Sequence, residues 1–345
     1  MVNTKKKMLF TLEKKLFLEA NKIIKSHPYL VVIAMHEYSR NLYDEDPHIP
    51  YKQKNHVTRL IKVMQNLIEF LTSSKELGSY FNDFDKSDLI SDPKIKSGQV
   101  YGKFWKELTE EENLRTIKLI KNRFKSFKKI RFNSYFKNKN ILDAGCGGGR
   151  FSYALSGLGP KKVTGIDFGV DGLKLARQKF KAKNLEFKQA NVLDIPFKDN
   201  TFDFVLSNGV IHHTEDFEKG LHEVIRVCKP GGDIYLYLYG KGGLFWSSRH
   251  KMNKMMKMIP QDFTKKVLDN IGMPTNRWIF QDNWYVPIER HCTYEEVERI
   301  CKKLKVSNIE VSKSGMPTDL HILKDKYPYS EDIWGNGEVR LLITK

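Results

Sequence analysis

A short glycine-rich stretch constrains this chain more than any other feature. NILDAGCGGGRFSYAL, residues 140–155, places glycines between a short apolar run and a helical pattern. The run at Ile141 and Leu142 is short enough for a buried parallel strand. A strand, a glycine turn and a helix aim backbone N–H groups and a helix N-terminus at a ligand. The sequence therefore predicts an α/β fold with a ligand site at this turn.

The residues at the two ends of the turn argue against a phosphate ligand. A P-loop closes with Lys-Ser or Lys-Thr, whereas this turn closes with Arg150 and Phe151. The dinucleotide pattern G-x-G-x-x-G also meets Arg150 where its third glycine belongs. Asp143, two residues before the first glycine, would repel a pyrophosphate and attract an ammonium group. We therefore expect a ligand that carries a cation.

The next strand adds a second carboxylate. VTGIDFG, residues 163–169, is an apolar strand that ends at Asp167. An acidic residue roughly 20 positions past a glycine turn, at the tip of the second strand, is placed to accept the hydroxyls of a ribose. The expected ligand now has an ammonium group, a ribose and no pyrophosphate.

Four motifs in order resemble the class I S-adenosylmethionine-dependent methyltransferases, especially the small-molecule branch with the ubiquinone and menaquinone methyltransferases. They are ILDAGCGGG, VTGIDFG, ANVLDIPFKDNTFDFVLSNGVIHH and HEVIRVCKPGGDIYLYL, within residues 101–238. The resemblance implies a Rossmann-like seven-stranded sheet with six parallel strands, an antiparallel last strand and helices on both faces. KVSNIEVSK and EVRLLITK would be strands six and seven. The implied cofactor is S-adenosyl-L-methionine.

The resemblance also implies which residues bind this cofactor. Asp143 would hold the amino-acid end, Asp167 the ribose and Phe168 the adenine. Asn191 stands where many relatives have aspartate, which keeps a hydrogen bond to the adenine amino group but removes the charge. The implied cofactor-binding residues are Tyr101, Asp143, Gly145, Cys146, Gly147, Asp167, Phe168, Asn191, Val192 and Asn208.

Catalytic and substrate residues are expected after the fourth and fifth strands. His213 is the candidate general base, with loop shaping as the alternative, because relatives with different chemistries share a histidine there. Glu215 and Asp216 follow the histidines at a helix start and suit capping better than metal binding, so no metal is expected. The candidate substrate residues are Tyr239, Trp246, Arg277, Trp284, Tyr285 and Glu289.

The rest of the chain is organised around this core. Residues 1–95 are expected to form a helical extension that caps the core or joins two copies as a homodimer. Residues 96–240 would be the methyltransferase core, and residues 293–345 would complete it, beginning with a capping box at Thr293 and Glu296. Residues 241–292 are an insert after strand five, either a lid over the substrate or a structural cap.

A net charge of +18 raises a nucleic-acid alternative. Residues 115–139 hold ten Lys or Arg and no acidic residue, and the aromatics among them could stack on bases. Alternatively, those aromatics face the core, because Ile117, Ile120 and Phe124 recur at helical spacing. The aromatics in question are Phe124, Phe127, Phe132, Tyr135 and Phe136.

Composition bounds the location and the function class. The chain has no apolar run of membrane-span length, and charged residues interrupt its N-terminal apolar segment, so neither a span nor a signal peptide is expected. The four cysteines lack the close pairing of zinc ligands. A disulfide would be hard to fit at Cys146, inside the glycine turn, which favours a reducing cytoplasm. The sequence therefore predicts a cytoplasmic methyltransferase that methylates nitrogen or oxygen of a small polar metabolite. An RNA- or tRNA-modifying methyltransferase is the alternative.

Overall fold

The computed structural model describes residues 2–43, 56–73, 110–272, 284–312 and 330–345. The chain divides into two compact units. The helical unit comprises Met1–Lys94, Gly242–Val286 and Leu323–Gly335, and the sheet unit comprises Ile95–Lys241, Pro287–Ile322 and Asn336–Lys345. Most of the insert after strand five thus belongs to the same unit as the N-terminal helices. The four-segment division that the sequence suggested stays a prediction.

The secondary structure of the described residues is as follows. The strands are β1 (Asn140–Ala144), β2 (Lys162–Asp167), β3 (Leu185–Gln189), β4 (Phe202–Asn208), β5 (Cys228–Tyr239), β6 (Asn308–Val311) and β7 (Glu338–Thr344). The helices are α1 (Val2–Ile23), α2 (Pro28–Tyr43), α3 (His56–Ser73), α4 (Glu110–Phe124), α5 (Phe132–Tyr135), α6 (Arg150–Ser156), α7 (Val170–Lys179), α8 (Phe217–Val227), α9 (Gly243–Met256), α10 (Gln261–Asn270), α11 (Tyr294–Lys303) and α12 (Ser330–Trp334). A 3₁₀ turn covers Ile211–His213.

The seven strands form one sheet in the order β3-β2-β1-β4-β5-β7-β6. Only β7 runs against its neighbours, β5 and β6, so the predicted sheet of six parallel strands and one antiparallel strand is confirmed. The order reverses between β1 and β4, because β1 pairs with both β2 and β4. In open α/β sheets, the ligand crevice lies beside the carboxyl ends of the strands at such a reversal.

Both faces of the sheet are buried, as expected of parallel strands with helices on each side. Leu142 and Val205 contribute to one apolar cluster, which includes residues of α8 and α11. Their neighbours Ile141, Phe204 and Tyr235 belong to the opposite cluster, with residues of α4 and α6. The central strands β1 and β4 therefore consist largely of apolar runs, with their polar residues towards the strand ends.

The aromatic residues of the basic stretch pack into this second cluster. Phe124, Phe127 and Phe136 are at most 1% exposed, and Phe132 and Tyr135 are partly buried against the same cluster. These rings are therefore unavailable as a surface for stacking bases. Burial confirms that the aromatics of residues 115–139 face the core.

The helical unit has a core of its own that includes a buried carboxylate. Glu13 of α1 is 1% exposed and accepts hydrogen bonds from Ser248 Oγ (2.9 Å) and Lys251 Nζ (2.5 Å) of α9. Tyr38 of α2 completes the network through a 2.7 Å bond between its hydroxyl and Ser248 Oγ. A buried carboxyl group needs such hydrogen-bond partners, so these bonds fix how the three helices pack. Pairing of two copies through the N-terminal helices stays a prediction.

Several residues of the insert form part of this helical core. Trp246 is 3% exposed, Trp284 0% and Tyr285 6%. The Tyr285 hydroxyl lies 2.5 Å from Thr264 Oγ1 on α10. Packing within the helical unit therefore accounts for the aromatic composition of the insert.

The capping box at the start of α11 provides a test of local stability. Thr293 Oγ1 accepts from Glu296 N (3.2 Å), and Glu296 Oε2 accepts from Thr293 N (2.9 Å). We expect Thr293→Ala to lower the free energy of unfolding by about 1 kcal/mol, because one N-terminal N–H loses its acceptor. Thr293→Ser keeps the hydroxyl and should stay within a few tenths of a kcal/mol of the wild type. Urea unfolding measures both; equal stabilities of the two variants would contradict the role of the cap.

Candidate active site

The glycine turn follows β1 and is held tightly against its surroundings. Gly145 has a φ of +90°, and a Cβ there would lie 2.4 Å from the Val210 side chain. Gly149 has a φ of +82°, and a Cβ there would lie 2.7 Å from the Ala176 side chain. Only glycine adopts this backbone without strain and leaves room for those neighbours. The turn therefore presents bare backbone at the carboxyl end of β1.

Asp167 closes the turn from the end of β2. Its Oδ2 accepts a hydrogen bond from Gly147 N (2.8 Å), and its Oδ1 accepts one from Gly169 N (2.7 Å). Burial raises the pKa of the Asp167 carboxyl above its ordinary value, while the backbone N–H groups of Gly169, Gly147 and Phe168 oppose that rise. The carboxylate that the sequence assigned to a ribose is thus fixed directly beside the glycine turn.

Asp143 is the most perturbed acid of the site. It is 2% exposed and accepts a 2.6 Å hydrogen bond from Ser152 Oγ. Burial raises the pKa of Asp143 from 3.8 to about 7, and the charge of Asp167 adds to the rise. The carboxyl therefore exchanges its proton near neutral pH, and a cationic group bound beside it would favour the charged form.

The predicted adenine side is more open. The Phe168 side chain is 60% exposed just after β2, whereas Val192 is 6% exposed. Asn191 is exposed, and its Oδ1 accepts from Leu193 N (2.9 Å), which fixes the loop after β3. An exposed phenylalanine beside a strand end offers a flat apolar surface, and this arrangement suits an adenine ring.

Asn208 ends β4 and contacts a residue that the sequence did not single out. Its Oδ1 accepts a 2.6 Å hydrogen bond from Nη1 of Arg123, on α4. Arg123 was hidden among the many basic residues of the 115–139 stretch. Its place in the site depends on a contact between residues 85 positions apart, for which the sequence gives no local signal.

His213 lies in the 3₁₀ turn after β4 with one ring nitrogen fixed. Its Nδ1 donates to the carbonyl oxygen of Ile288 (2.9 Å), because a carbonyl can only accept. The neutral ring therefore carries its lone pair on Nε2. The His213 ring centroid lies 5.2 Å from that of Tyr239 at the end of β5. The adjacent His212 is fully buried with its ring 3.8 Å from Tyr239, so packing accounts for it.

A second imidazole adjoins Tyr239. His291 Nε2 lies 2.6 Å from Glu289 Oε1, and the two side chains are only 13% and 4% exposed. The His291 ring is 6.5 Å from the Tyr239 ring. Backbone bonds from Arg290 N to His212 O (2.8 Å) and from Cys292 N to Tyr239 O (3.1 Å) fix this segment. The sequence singled out Glu289 but missed His291.

The remaining predicted site residues lie elsewhere. Tyr101 and Arg277 are outside the described residues. Trp246, Trp284 and Tyr285 belong to the helical unit, and their role in substrate binding stays a prediction.

Neither the cysteines nor the acids suggest other chemistry in the described part of the chain. Cys146 is buried in the glycine turn, and burial raises the pKa of its thiol well above the ordinary value, so it is a neutral packing group. All four cysteines are buried and free. Over the described residues, no three His, Cys, Asp or Glu side chains are grouped for a metal ion, and no helix has the length and apolar character of a membrane span.

Comparison with known sequences agrees with this geometry. Residues 142–236 match the family described as a methyltransferase domain. These residues therefore form a methyltransferase domain. The match begins within β1 and ends within β5, so it covers the glycine turn, Asp167, Asn208 and His213.

Three curated methyltransferases illustrate the similarity. Fatty-acid O-methyltransferase of Mycolicibacterium smegmatis is 39% identical over 102 residues, which are 29% of this chain and 37% of that protein. Norajmaline N-methyltransferase of Rauvolfia serpentina is 33% identical over 141 residues, 40% of this chain and 47% of that protein. Demethylmenaquinone methyltransferase of Lactococcus lactis is 40% identical over 100 residues, 28% of this chain and 40% of that protein. The chain spans less than half the length of each relative.

S-adenosylmethionine is the cofactor of this class of methyltransferase domain, and the residues present fit it. The buried Asp143 carboxyl, with its pKa near 7, suits an ammonium group. Asp167 suits a ribose diol, and the exposed Phe168 ring suits adenine. The glycine turn allows a ligand close approach to the backbone, since Gly145 and Gly149 place no side chain there.

Replacing Asp143 by asparagine should have opposite effects on the stability of the protein and on its affinity for the cofactor. Folding raises its pKa, so the stabilising contribution of the protonated form is complete below 3.8 and is lost as the pH rises through about 7. At about pH 8, we therefore expect Asp143→Asn to melt roughly 2–4 °C above the cofactor-free wild type, for about 1 kcal/mol. The same variant should bind S-adenosylmethionine at least tenfold more weakly, because it cannot become an anion.

Thermal melts and calorimetry at several pH values check this expectation. The stability difference should shrink steadily from about pH 7 to pH 3.8 and vanish only below 3.8, where the wild-type carboxyl is protonated in both the folded and the unfolded chain. Wild-type affinity for the cofactor should rise between about pH 6 and pH 8, and the variant's should not. A variant that is less stable at every pH would contradict the role given to Asp143.

Proposed function

We propose that the protein transfers a methyl group from S-adenosylmethionine to nitrogen or oxygen of a small polar metabolite. The observation that carries the proposal is the closed glycine turn, with the Asp167 carboxylate bonded to Gly147 N and Gly169 N and the buried Asp143 carboxyl at its mouth. The match of residues 142–236 to a methyltransferase domain supports it.

When bound, S-adenosylmethionine supplies a methyl group on a positively charged sulfonium. Because the electrophile is already activated, the main tasks of the protein are to align the acceptor and to exclude water. Asp143 and Asp167 hold charge and hydroxyl groups at the ends of β1 and β2. The acceptor side lies at the ends of β4 and β5, where His213 and Tyr239 adjoin each other.

The polar residues on this acceptor side support a polar acceptor. His213, Tyr239 and the Glu289–His291 pair all lie at the ends of β4 and β5 or on the segment bonded to them. The relatives are named for a fatty acid, norajmaline and demethylmenaquinone, which are too different to select an acceptor. The acceptor class is therefore inferred from these side chains.

His213 is the proposed general base. Its Nδ1 bond to the Ile288 carbonyl keeps the lone pair on Nε2, the atom that would take a proton from an acceptor hydroxyl. A neutral amine acceptor needs no base before it reacts. The need for His213 therefore distinguishes the two kinds of acceptor.

Cofactor binding tests the proposal through Asp167. We expect Asp167→Ala to weaken S-adenosylmethionine binding by at least about 1.5 kcal/mol, because a charge-assisted hydrogen bond to a ribose hydroxyl is lost. Asp171→Ala, at an exposed position in the first turn of α7, removes the same charge nearby and should bind normally. Calorimetry compares the three proteins; an equal loss in both variants would leave no specific role for Asp167.

The role of His213 as the general base can be tested once a metabolite screen has identified an acceptor. With a hydroxyl acceptor, His213→Gln should lower kcat by about 100-fold or more and remove the acid limb of the pH–rate profile. The affinity for S-adenosylmethionine should not change. His222→Gln is the matched control, because the His222 side chain is 54% exposed on α8. An unchanged pH profile in His213→Gln would assign His213 a structural role.

A further inference from the structure

The guanidinium of Arg123 lies beside the glycine turn, and only some of its N–H donors are used within the described residues. Its Nη1 donates to Asn208 Oδ1 (2.6 Å), and its Cζ lies 5.6 Å from the ring centroids of both Phe151 and Tyr237. Its Nε is buried and donates to no acceptor among the described residues. A guanidinium has five N–H donors in a fixed fork, so this one is held in place and incompletely used.

The charge of Arg123 is also incompletely balanced. Glu338 is the carboxylate whose charge acts on Arg123, but it already accepts from the Tyr237 hydroxyl (2.7 Å) and pairs with Arg340. Arg340 stacks on the same Tyr237 ring, with its Cζ 4.5 Å from the centroid. Two guanidiniums thus share one carboxylate. Burial lowers the pKa of Arg123, and the charge of Arg340 lowers it further. An excess cation that is partly buried is costly, and a bound anion would offset that cost.

The position of Arg123 indicates which part of a ligand it meets. Phe151 lies in the first turn of α6, directly after the glycine turn. On the other side, Asn208 ends β4, two residues before Val210, whose side chain fills the space that a Cβ on Gly145 would occupy. Arg123 is therefore at the same turn as Asp143 but carries the opposite charge. A cation receptor and an anion receptor at one turn match the ammonium and carboxylate groups of an amino acid.

We propose that Arg123 is the carboxylate-binding residue of this site, which rests on the proposed function. Its planar fork, stacked between the Phe151 and Tyr237 rings, presents two parallel N–H donors to a carboxylate. That carboxylate comes from the methionine part of the cofactor or from an acid group on the acceptor. Arg123 binds the ligand and takes no part in the chemical step.

The first measurement needs no variant. Calorimetry on the full chain compares S-adenosylmethionine with its decarboxylated form, which keeps the sulfonium, the ribose, the adenine and the amine but lacks the carboxylate. If the cofactor is the source, the wild type should bind S-adenosylmethionine at least tenfold more tightly than the decarboxylated form, as expected of a charge-assisted bidentate pair.

Variants then assign the difference to Arg123. Arg123→Leu should weaken S-adenosylmethionine binding by that same factor and leave the affinity for the decarboxylated form unchanged. Arg123→Lys should keep part of the affinity for S-adenosylmethionine that Arg123→Leu loses. Lys121→Leu removes an equal charge from an exposed position on the same helix and should bind both nucleosides normally. Thermal melts of all variants show which of them are folded.

A separate measurement tests whether the carboxylate belongs to the acceptor. The complex with S-adenosylhomocysteine is titrated with octanoate and with octanol, which share a chain length. Preference for octanoate that disappears in Arg123→Leu would assign the carboxylate to the acceptor. The proposal is overturned if the wild type binds both nucleosides equally and also binds octanoate and octanol equally. It is also overturned if Arg123→Leu keeps the wild-type preferences. Failure of the wild type to bind either nucleoside would instead contradict the proposed function.

Discussion

The hydrogen bond from Gly147 N to Asp167 Oδ2 connects the two halves of the cofactor site, and the other parts depend on it. It joins the turn after β1 to the end of β2 and places a carboxylate beside bare backbone. Parallel pairing of β1 with β2, in which Asp143 pairs with Gly165, brings the two acids to the same edge of the sheet. The arrangement is stable only because glycines keep side chains away from the turn.

The charged side chains at this edge of the sheet destabilise the fold and favour ligand binding. Two carboxyls with raised pKa values, one buried and one partly buried, lie at one turn, and a guanidinium with unused donors lies beside them. Each of these groups loses solvation on folding and lacks a complete set of partners within the described residues. Such uncompensated groups are typical of ligand sites, where the ligand supplies the missing partners. The site thus resembles a receptor for a zwitterion that also carries a ribose.

The sequence predicted what depends on local patterns. The glycine turn, Asp167 at the end of β2 and the capping box at Thr293 are all encoded within a few adjacent residues, and the antiparallel last strand followed from the resemblance. Arg123 and His291 were missed because they belong to no motif and their places in the site depend on tertiary contacts with Asn208 and Tyr239. The aromatics of the insert carried no signal that separates a lid from a helical core, since both need apolar surface.

The central claim is that this chain methylates a small molecule at the ends of β4 and β5. The most direct measurement incubates the purified protein with S-adenosylmethionine and a metabolite library and follows both products by mass spectrometry. We predict that one class of polar metabolite gains a methyl group while an equal amount of S-adenosylhomocysteine forms. Methyl transfer to RNA with none to any metabolite, or no binding of S-adenosylmethionine at all, would contradict the account.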